Sequence, residues 1–265
     1  MTSPPLLTLL SDFGLTDIYV GVMKGVIAQI NPEIKVIDLT HQIPPQNIAA
    51  ARFCLMSAYS YFLDKTVHLA VVDPGVGSVR RAIAVEFARG FVVAPDNGLI
   101  SGVLSQSQVI RAVELTNWQY WRLPNPSHTF HGRDIFAPCA AHLASGVQIT
   151  DLGSEIDIDS LIDLNFPKCC HITTGAIGCV QYIDIFGNLI TNIPGSYVKG
   201  ETWHIIIAGL KIKGGKTYTS VPVGDTVALV GSEGWVEIAI NRGNAQEQLD
   251  LQLAETVELK LEIEK

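Results

Sequence analysis

This 265-residue chain has no long basic run, no membrane-length apolar run and no cysteine pair at metal-binding spacing. Each absence removes a class of function. Lysine and arginine number 18 against 26 acidic residues, and the cations are scattered along the chain. A nucleic-acid backbone is bound by clustered cations, so no nucleic-acid partner is expected. The longest apolar stretches, such as Trp203–Leu210, fall far short of the roughly 20 residues that cross a bilayer, so no membrane association is expected. Met1-Thr2-Ser3-Pro4-Pro5 lacks the basic and apolar regions of a secretory leader, which predicts a cytoplasmic protein. The five cysteines (Cys54, Cys139, Cys169, Cys170, Cys179) form no C-x-x-C, and no histidine follows the Cys169-Cys170 pair at finger spacing. Buried or free thiols are expected, with no disulfide and no zinc.

What is present is apolar: 48% of residues are hydrophobic and 17% charged, enough to fill one large core or two smaller ones. Leu6–Leu10, Lys35–Leu39 and Thr66–Val72 read as strands, the last nearly unbroken in its apolar run and so covered on both faces. Between them, a helix starting at Thr16-Asp17 carries Val22, Val26 and Ile30 on one face and stops at Asn31-Pro32. Gln46–Phe62 forms a longer helical pattern. Ala82–Phe87 and Phe91–Ala94 read as a hairpin across Arg89-Gly90, and Arg133–Ser145 as a further helix. This order predicts an α/β domain with a mainly parallel central sheet, residues 1–165. The loops Ser11-Asp12, Thr40-His41, Asp73 and Asp96-Asn97 each follow a strand and should gather at one sheet edge, where such sheets bind ligands. From residue 166 to 265 short β-rich stretches alternate with Gly and Asn turns, which predicts a smaller antiparallel β-barrel domain.

Several polar clusters could carry chemistry. Asp73-Pro74-Gly75-Val76-Gly77-Ser78 with Arg80 places a carboxylate near a guanidinium; it lacks the G-K-[ST] ending of a P-loop. It reads either as a proton-transfer site or as a strand-ending turn with an ion pair. His128-Thr129-Phe130-His131-Gly132-Arg133-Asp134 reads as a proton carrier at a helix entrance or as a capped helix start. Asp12 at a strand end suits a ribose diol or a simple Asx turn. Pro95-Asp96-Asn97-Gly98 is a common turn sequence. Asp184-Ile185-Phe186-Gly187-Asn188 offers a stacking face with polar handles, or a turn with Gly187 at positive φ. The Ser232 loop and Asn241-Arg242-Gly243-Asn244-Ala245 read similarly.

Ser11–Gly14, Asp38–Pro45, Val71–Arg81, Pro95–Gly98, Thr129–Asp134, Phe186–Asn192 and Gly243–Ala245 are each weak alone but occur in one order across nearly the whole chain. Together they resemble the S-adenosyl-L-methionine (SAM) hydroxide adenosyltransferases, the adenosyl-forming SAM hydrolases related to fluorinase and chlorinase. The resemblance implies a homotrimer with active sites between neighbouring subunits, and attack of water on SAM to give adenosine and L-methionine. SAM would be the substrate, with no cofactor and no metal. It assigns an Asp-Arg-His set to Asp73, Arg80 and His131, and the ribose hydroxyls to Asp12. Asp184, Asn188 and Ser232 would hold the methionine end, Phe186 would pack on the adenosyl group, and Asn97 would join the substrate contacts. The Asp-Pro-Gly-Val-Gly-Ser-x-Arg form of the third loop favours water over halide. Ile185 and Glu233 stand where a basic residue would otherwise serve the methionine end.

Two other functions compete. A metal-dependent phosphoesterase would use Asp12, Asp73, Asp96, Asn97 and His131, but Arg80 and Arg133 beside a metal ion would be costly. A non-catalytic SAM or nucleoside sensor would bind its ligand and release it intact.

Overall fold

The computed structural model describes residues 4–198, 200 and 202–262. The chain divides into two compact units, passing from one to the other between Leu164 and Asn165. In the first, β1 (Leu6–Ser11), α1 (Tyr19–Ile30), β2 (Lys35–Thr40), α2 (Ile48–Tyr59) and β3 (Thr66–Val71) alternate. β4 (Ala82–Phe87) and β5 (Gly90–Pro95) form the hairpin. The short α3 (Ser101–Leu104), β6 (Val109–Glu114), α4 (Ala137–Ala144) and β7 (Ser154–Glu155) complete the unit. The sheet order is β2-β1-β3-β5-β4-β6-β7. β2, β1, β3 and β5 are parallel, while β4, β6 and β7 pair antiparallel. β5 therefore lies between β3 and β4, paired with both.

Side chains alternate between the two faces of the parallel strands. Leu7, Leu9, Val67, Leu69 and Val71 pack with Met23 and Ile27 of α1 and with Ala137, Ala140 and Ala141 of α4 in one apolar cluster. Removing each large aliphatic side chain from water contributes about 1.5–3 kcal/mol. The opposite face carries polar exceptions. Thr8 Oγ1 lies 2.8 Å from His68 Nδ1, both buried, and Tyr59 and Phe62 pack their rings on the imidazole at 5.0 and 5.5 Å.

Three helix boundaries differ from the sequence reading. α1 begins at Tyr19, not at Thr16-Asp17, and has no side-chain cap. The preceding residues are spent on a turn after Asp12 in which Gly14 takes φ +66° and its N–H donates to the His41 carbonyl at 2.8 Å. α2 spans Ile48–Tyr59 because Asn47 caps it, its side-chain oxygen accepting the Ala50 N–H at 2.9 Å. Ahead of α4, Gly132–Phe136 is one wide π-helical turn, not α-helix.

The second unit contains β8 (Cys170–Ile172), β9 (Gly175–Ile183), β10 (Leu189–Pro194), β11 (Trp203–Ile207), β12 (Leu210–Lys213), β13 (Thr226–Val230), β14 (Trp235–Ile240), the short α5 (Ala245–Leu249) and β15 (Thr256–Leu261). Its antiparallel sheet runs β12-β11-β15-β9-β10-β14-β13, with β8 beside β9. A bridge between Gly214 and Ala228 joins the two ends of that order, so the sheet nearly closes into a barrel. Val180, Ile205, Ile207, Val236, Ile238 and Leu259 fill it.

Burial pushes the His68 imidazole down to about 4. Its unfolded value is near 6.5, so below that pH the unfolded chain takes up a proton that the folded protein refuses. The stability is complete above pH 6.5 and is lost as pH falls toward 4, by about 3 kcal/mol in all. Urea denaturation at pH 7 and pH 4.5 should show this loss, and His68→Leu should remove most of the difference while lowering stability at both pH values. An unchanged pH dependence in His68→Leu would refute the assignment.

Candidate active site

Because β2, β1, β3 and β5 are parallel neighbours, the loops leaving them lie side by side. Ser11 Oγ is 2.7 Å from His41 Nδ1, His41 Nε2 is 3.2 Å from Asp38 Oδ1, and Lys24 Nζ donates to Asp38 Oδ2 at 2.6 Å. Burial raises the Asp38 carboxyl, but the hydrogen bonds and charges of Lys24 and His41 outweigh it and leave Asp38 below the ordinary range. The order Ser-His-Asp suggests a nucleophilic triad, yet Ser11 is fully buried and has no route to a substrate. It acts as a buttress: Ser11 Oγ accepts the Phe13 N–H at 3.4 Å, which fixes the turn presenting Asp12. Asp12 Oδ2 in turn accepts the Gln46 N–H at 2.8 Å.

Asp73, Arg80 and His131 come together. Arg80 Nε donates to both oxygens of Asp73, at 2.9 and 3.0 Å, and Nη2 donates again to Oδ2. The same Nη2 lies 2.7 Å from His131 Nδ1. A guanidinium only donates, so Nδ1 is the acceptor, and the neutral imidazole carries its proton on Nε2. Burial, then the Arg80 charge, hold His131 below its ordinary value against the opposing pull of Asp73 and Asp134. The Arg80 guanidinium also lies over the Phe136 ring, 5.1 Å from its centre.

A cavity of about 370 Å³ opens beside this trio, lined by Asp12, Asp73, His131 and the aromatic rings of Phe13, Tyr19 and Phe130, with Gln46, Pro74, Val76 and Thr129. Arg80 stands behind Asp73 and His131 and is not among the lining residues. The three rings contact one another at 5.2–5.8 Å. They give one wall of the cavity an apolar face that the sequence reading missed, since they come from three separate segments. Phe130 is held by the Arg133 guanidinium, 5.2 Å from its centre. Arg133 in turn donates to the buried Asp134 at 2.6 and 2.7 Å.

The other expected residues are placed differently. Asn97 turns its amide onto backbone: Nδ2 donates to the Val72 carbonyl at 2.9 Å and Oδ1 accepts the Leu99 N–H at 3.2 Å. Asp96 faces Arg81 and the Ile162 N–H. Asp12, Asp73, Asp96, Asn97 and His131 are thus not gathered around one point. Among the described residues, no cluster of three or more His, Cys, Asp or Glu is arranged to hold a metal. In the second unit, Asp184 Oδ1 accepts the Phe186 and Asn188 N–H groups at 2.9 and 2.8 Å, and Oδ2 accepts from Asn188 Nδ2 at 2.9 Å. Gly187 takes φ +80°, packed on Asn244, which caps α5 through the Glu247 N–H. Ile185 and Phe186 are left 91% and 72% exposed at the tip, an apolar pair with no cover within its own unit. Ser232 is exposed in the Gly231–Gly234 turn. A larger cavity in this unit, about 930 Å³, is lined by five glycines with Lys213, Lys216, Trp203 and neutral side chains, and brings no carboxylate or imidazole with it.

Residues 7–153 match the SAM hydroxide adenosyltransferase N-terminal domain, and residues 178–258 match the SAM hydroxide adenosyltransferase C-terminal domain. An (R)-S-adenosyl-L-methionine hydrolase of Thermus thermophilus is 40% identical over 253 residues, spanning 91% of this chain and 94% of that protein. A fluorinase of an Actinoplanes species is more distant, 27% identical over 273 residues, spanning 89% and 91%. The crystal structure of an uncharacterized conserved protein from Thermotoga maritima superposes with a TM-score of 0.89 at 36% identity, covering 96% of this chain and 99% of that one.

Gly77 sits at φ +77°, and a Cβ there would overlap the His128 carbonyl oxygen. It lets the Asp73 loop pack on the segment that carries His131. Gly77→Ala should separate the two and lower turnover by at least about tenfold, with the melting temperature falling by only a few degrees. Steady-state kinetics on the folded variant at wild-type rate would show that this contact does not govern the site.

Proposed function

Because the chain belongs to the SAM hydroxide adenosyltransferase family, we propose that it hydrolyses SAM, water attacking the ribose C5′ to give adenosine and L-methionine. The observation that carries this reading is Arg80 bridging Asp73 and His131, both of which line a cavity with one aromatic wall. The sulfonium is already a good leaving group. As the new C5′–O bond forms, the C5′–S bond breaks, its electron pair stays on sulfur, and the attacking water loses a proton. The reaction therefore needs an aligned water and a proton acceptor, and neither need requires a metal or an acid catalyst.

The geometry divides the labour. His131 offers Nε2–H as a donor, since Nδ1 is occupied by Arg80. Asp73 accepts three hydrogen bonds from Arg80, and a carboxylate has about four lone-pair sites, so an acceptor site remains for the water. Asp73 takes the proton, His131 orients the water, and Arg80 supplies positive charge near the developing hydroxide while holding both. Asp12 binds the ribose hydroxyls and the Phe13, Tyr19 and Phe130 wall receives the flat adenosyl group. Asp184, Asn188 and Ser232 serve the methionine end, with Phe186 against the adenosyl group.

We place the protein in the cytoplasm as a homotrimer with active sites between neighbouring subunits, needing no metal. Supporting the assembly are Leu15 and Ile18, exposed apolar side chains in the turn that leads to the cavity-lining Tyr19.

Incubation with SAM in ¹⁸O-water, followed by mass analysis, should place the label in the 5′-hydroxyl of adenosine. SAM recovered intact would instead identify a sensor and overturn the hydrolase reading. Asp73→Asn and His131→Ala should lower kcat by on the order of 10²-fold or more while changing SAM affinity little, whereas Asp12→Ala should mainly raise KM. Full turnover in Asp73→Asn would refute the base assignment.

A further inference from the structure

The Asp73–Arg80 pair is carried by a loop that cannot fix it unaided. Between the two residues run Pro74–Val79, most of them exposed and Val79 entirely so. Apart from the Arg80–Asp73 contact itself, the loop's backbone is supported by short turns: the Val76 N–H donates to the Asp73 carbonyl at 3.2 Å, the Ser78 N–H and Oγ to the Gly75 carbonyl at 3.1 and 2.6 Å, and the Arg80 N–H to Ser78 Oγ at 3.3 Å. An exposed loop of this kind samples many conformations unless its ends are tied.

Both ends are tied by one neighbouring turn. β5 lies between β3 and β4 in the sheet, so its carboxyl end emerges between the strand that delivers Asp73 and the strand that Arg80 leads into. At that end, Asn97 Nδ2 donates to the carbonyl of Val72, the residue before Asp73, at 2.9 Å. Asp96 Oδ2 accepts Nε and Nη2 of Arg81, the residue after Arg80, at 2.9 and 2.5 Å. The Asp96 N–H also donates to the Arg81 carbonyl at 3.0 Å. Asp96 is 1% exposed, and its other oxygen accepts the Ile162 N–H at 2.9 Å. Arg81 goes on to Ser160, donating to Oγ at 2.9 Å and to the carbonyl at 2.6 Å. The turn itself is wedged in place, since Gly98, at φ +93°, packs against Leu164.

We infer that Asp96 and Asn97 are positioning residues for the water-activating pair, one gripping each flank of the loop, and that Asn97 does not contact substrate. This rests on the hydrolase reading of Asp73 and Arg80. Two consecutive side chains set the separation of a carboxylate and a guanidinium that are seven positions apart in the chain. A misplacement of about 1 Å at reacting groups can cost on the order of 10²-fold in rate, so small changes in the turn should be felt in turnover.

The test uses Asn97→Ala and the near-isosteric Asn97→Asp, with Asp96→Asn as the conservative partner of Asp96→Ala. Positioning predicts that both Asn97 variants lose at least about tenfold in kcat, with KM for SAM within about threefold of wild type. It also predicts that Asp96→Asn recovers part of the rate lost in Asp96→Ala. A substrate contact predicts the reverse, a raised KM at unchanged kcat, and that result overturns the inference. A second readout is independent of catalysis. Arg80 helps hold the His131 imidazole down, so releasing the loop should move the His131 titration, followed by NMR, upward toward 6.5. A His131 titration unchanged in folded Asn97→Ala and Asn97→Asp overturns the inference, even if the wild-type protein makes no adenosine and the hydrolase reading itself has failed. Should Asn97→Ala not fold, Asn97→Asp decides on both readouts.

Discussion

One guanidinium holds the candidate site together. Arg80 uses Nε and Nη2 on Asp73, Nη2 again on His131 Nδ1, and lies on the face of Phe136. Its side chain is 10% exposed and that of Asp73 only 6%, so each charge would be costly without the other. Removing either partner strands a buried charge. The constraint also sets chemistry: because an arginine only donates, it fixes the histidine tautomer and leaves Nε2–H as that ring's free polar edge. A lysine in its place would supply charge without the planar fork that reaches two partners in fixed directions.

The sheet is built to deliver this contact. Parallel strands put the ends of β1, β2, β3 and β5 on one edge, and the two neighbouring strand-end loops brace each other. His41 after β2 supports the β1 turn through Ser11 and through its carbonyl to Gly14. Asn97 after β5 supports the end of β3. His131 arrives from outside the sheet on a π-helical turn whose Gly132 is closely packed by Met23, Phe130 and Phe13. No larger residue would fit there without moving the aromatic wall. Wide turns of this kind are often found where a helix presents a side chain to a site.

Much of this was legible in the sequence because it rests on local chemistry. The nearly unbroken apolar run of β3, the Arg89-Gly90 hairpin and the β-rich region from residue 166 onward follow from periodicity and turn residues. The start of α1 was misread because Thr16-Asp17 has the composition of a cap, while the chain spends those residues closing the turn after Asp12. Asn47, an equally ordinary polar residue, does cap α2. Only the backbone path distinguishes the two. The aromatic wall was invisible for a different reason. Phe13, Tyr19 and Phe130 become neighbours only after α1 and the His131 segment pack together, and no local spacing encodes that. Asn97 illustrates the converse. The family resemblance implies a ligand contact for it, whereas its amide makes one hydrogen bond through each end to the main chain.

Two carboxylates, Asp73 and Asp184, are satisfied by different partners, and on the proposed reaction that difference suits them to different tasks. Asp73 is satisfied by a cation, so the pair is close to neutral overall and suits an uncharged partner such as water. Asp184 is satisfied by the neutral amides of Phe186 and Asn188, which leave its charge uncompensated. Burial pushes the nearby Glu237 carboxyl above its ordinary range; the hydrogen bond from Tyr218 at 2.6 Å pulls it back, and the Asp184 charge adds to the rise. An uncompensated negative charge attracts a cation, and in the proposed reaction the methionine end of SAM supplies an ammonium group. The amides hold Asp184 without a counter-charge, whereas Arg80 offsets the charge of Asp73 at long range, leaving it a local acceptor beside a local positive charge. The partner that each carboxylate already has therefore decides what it can still bind.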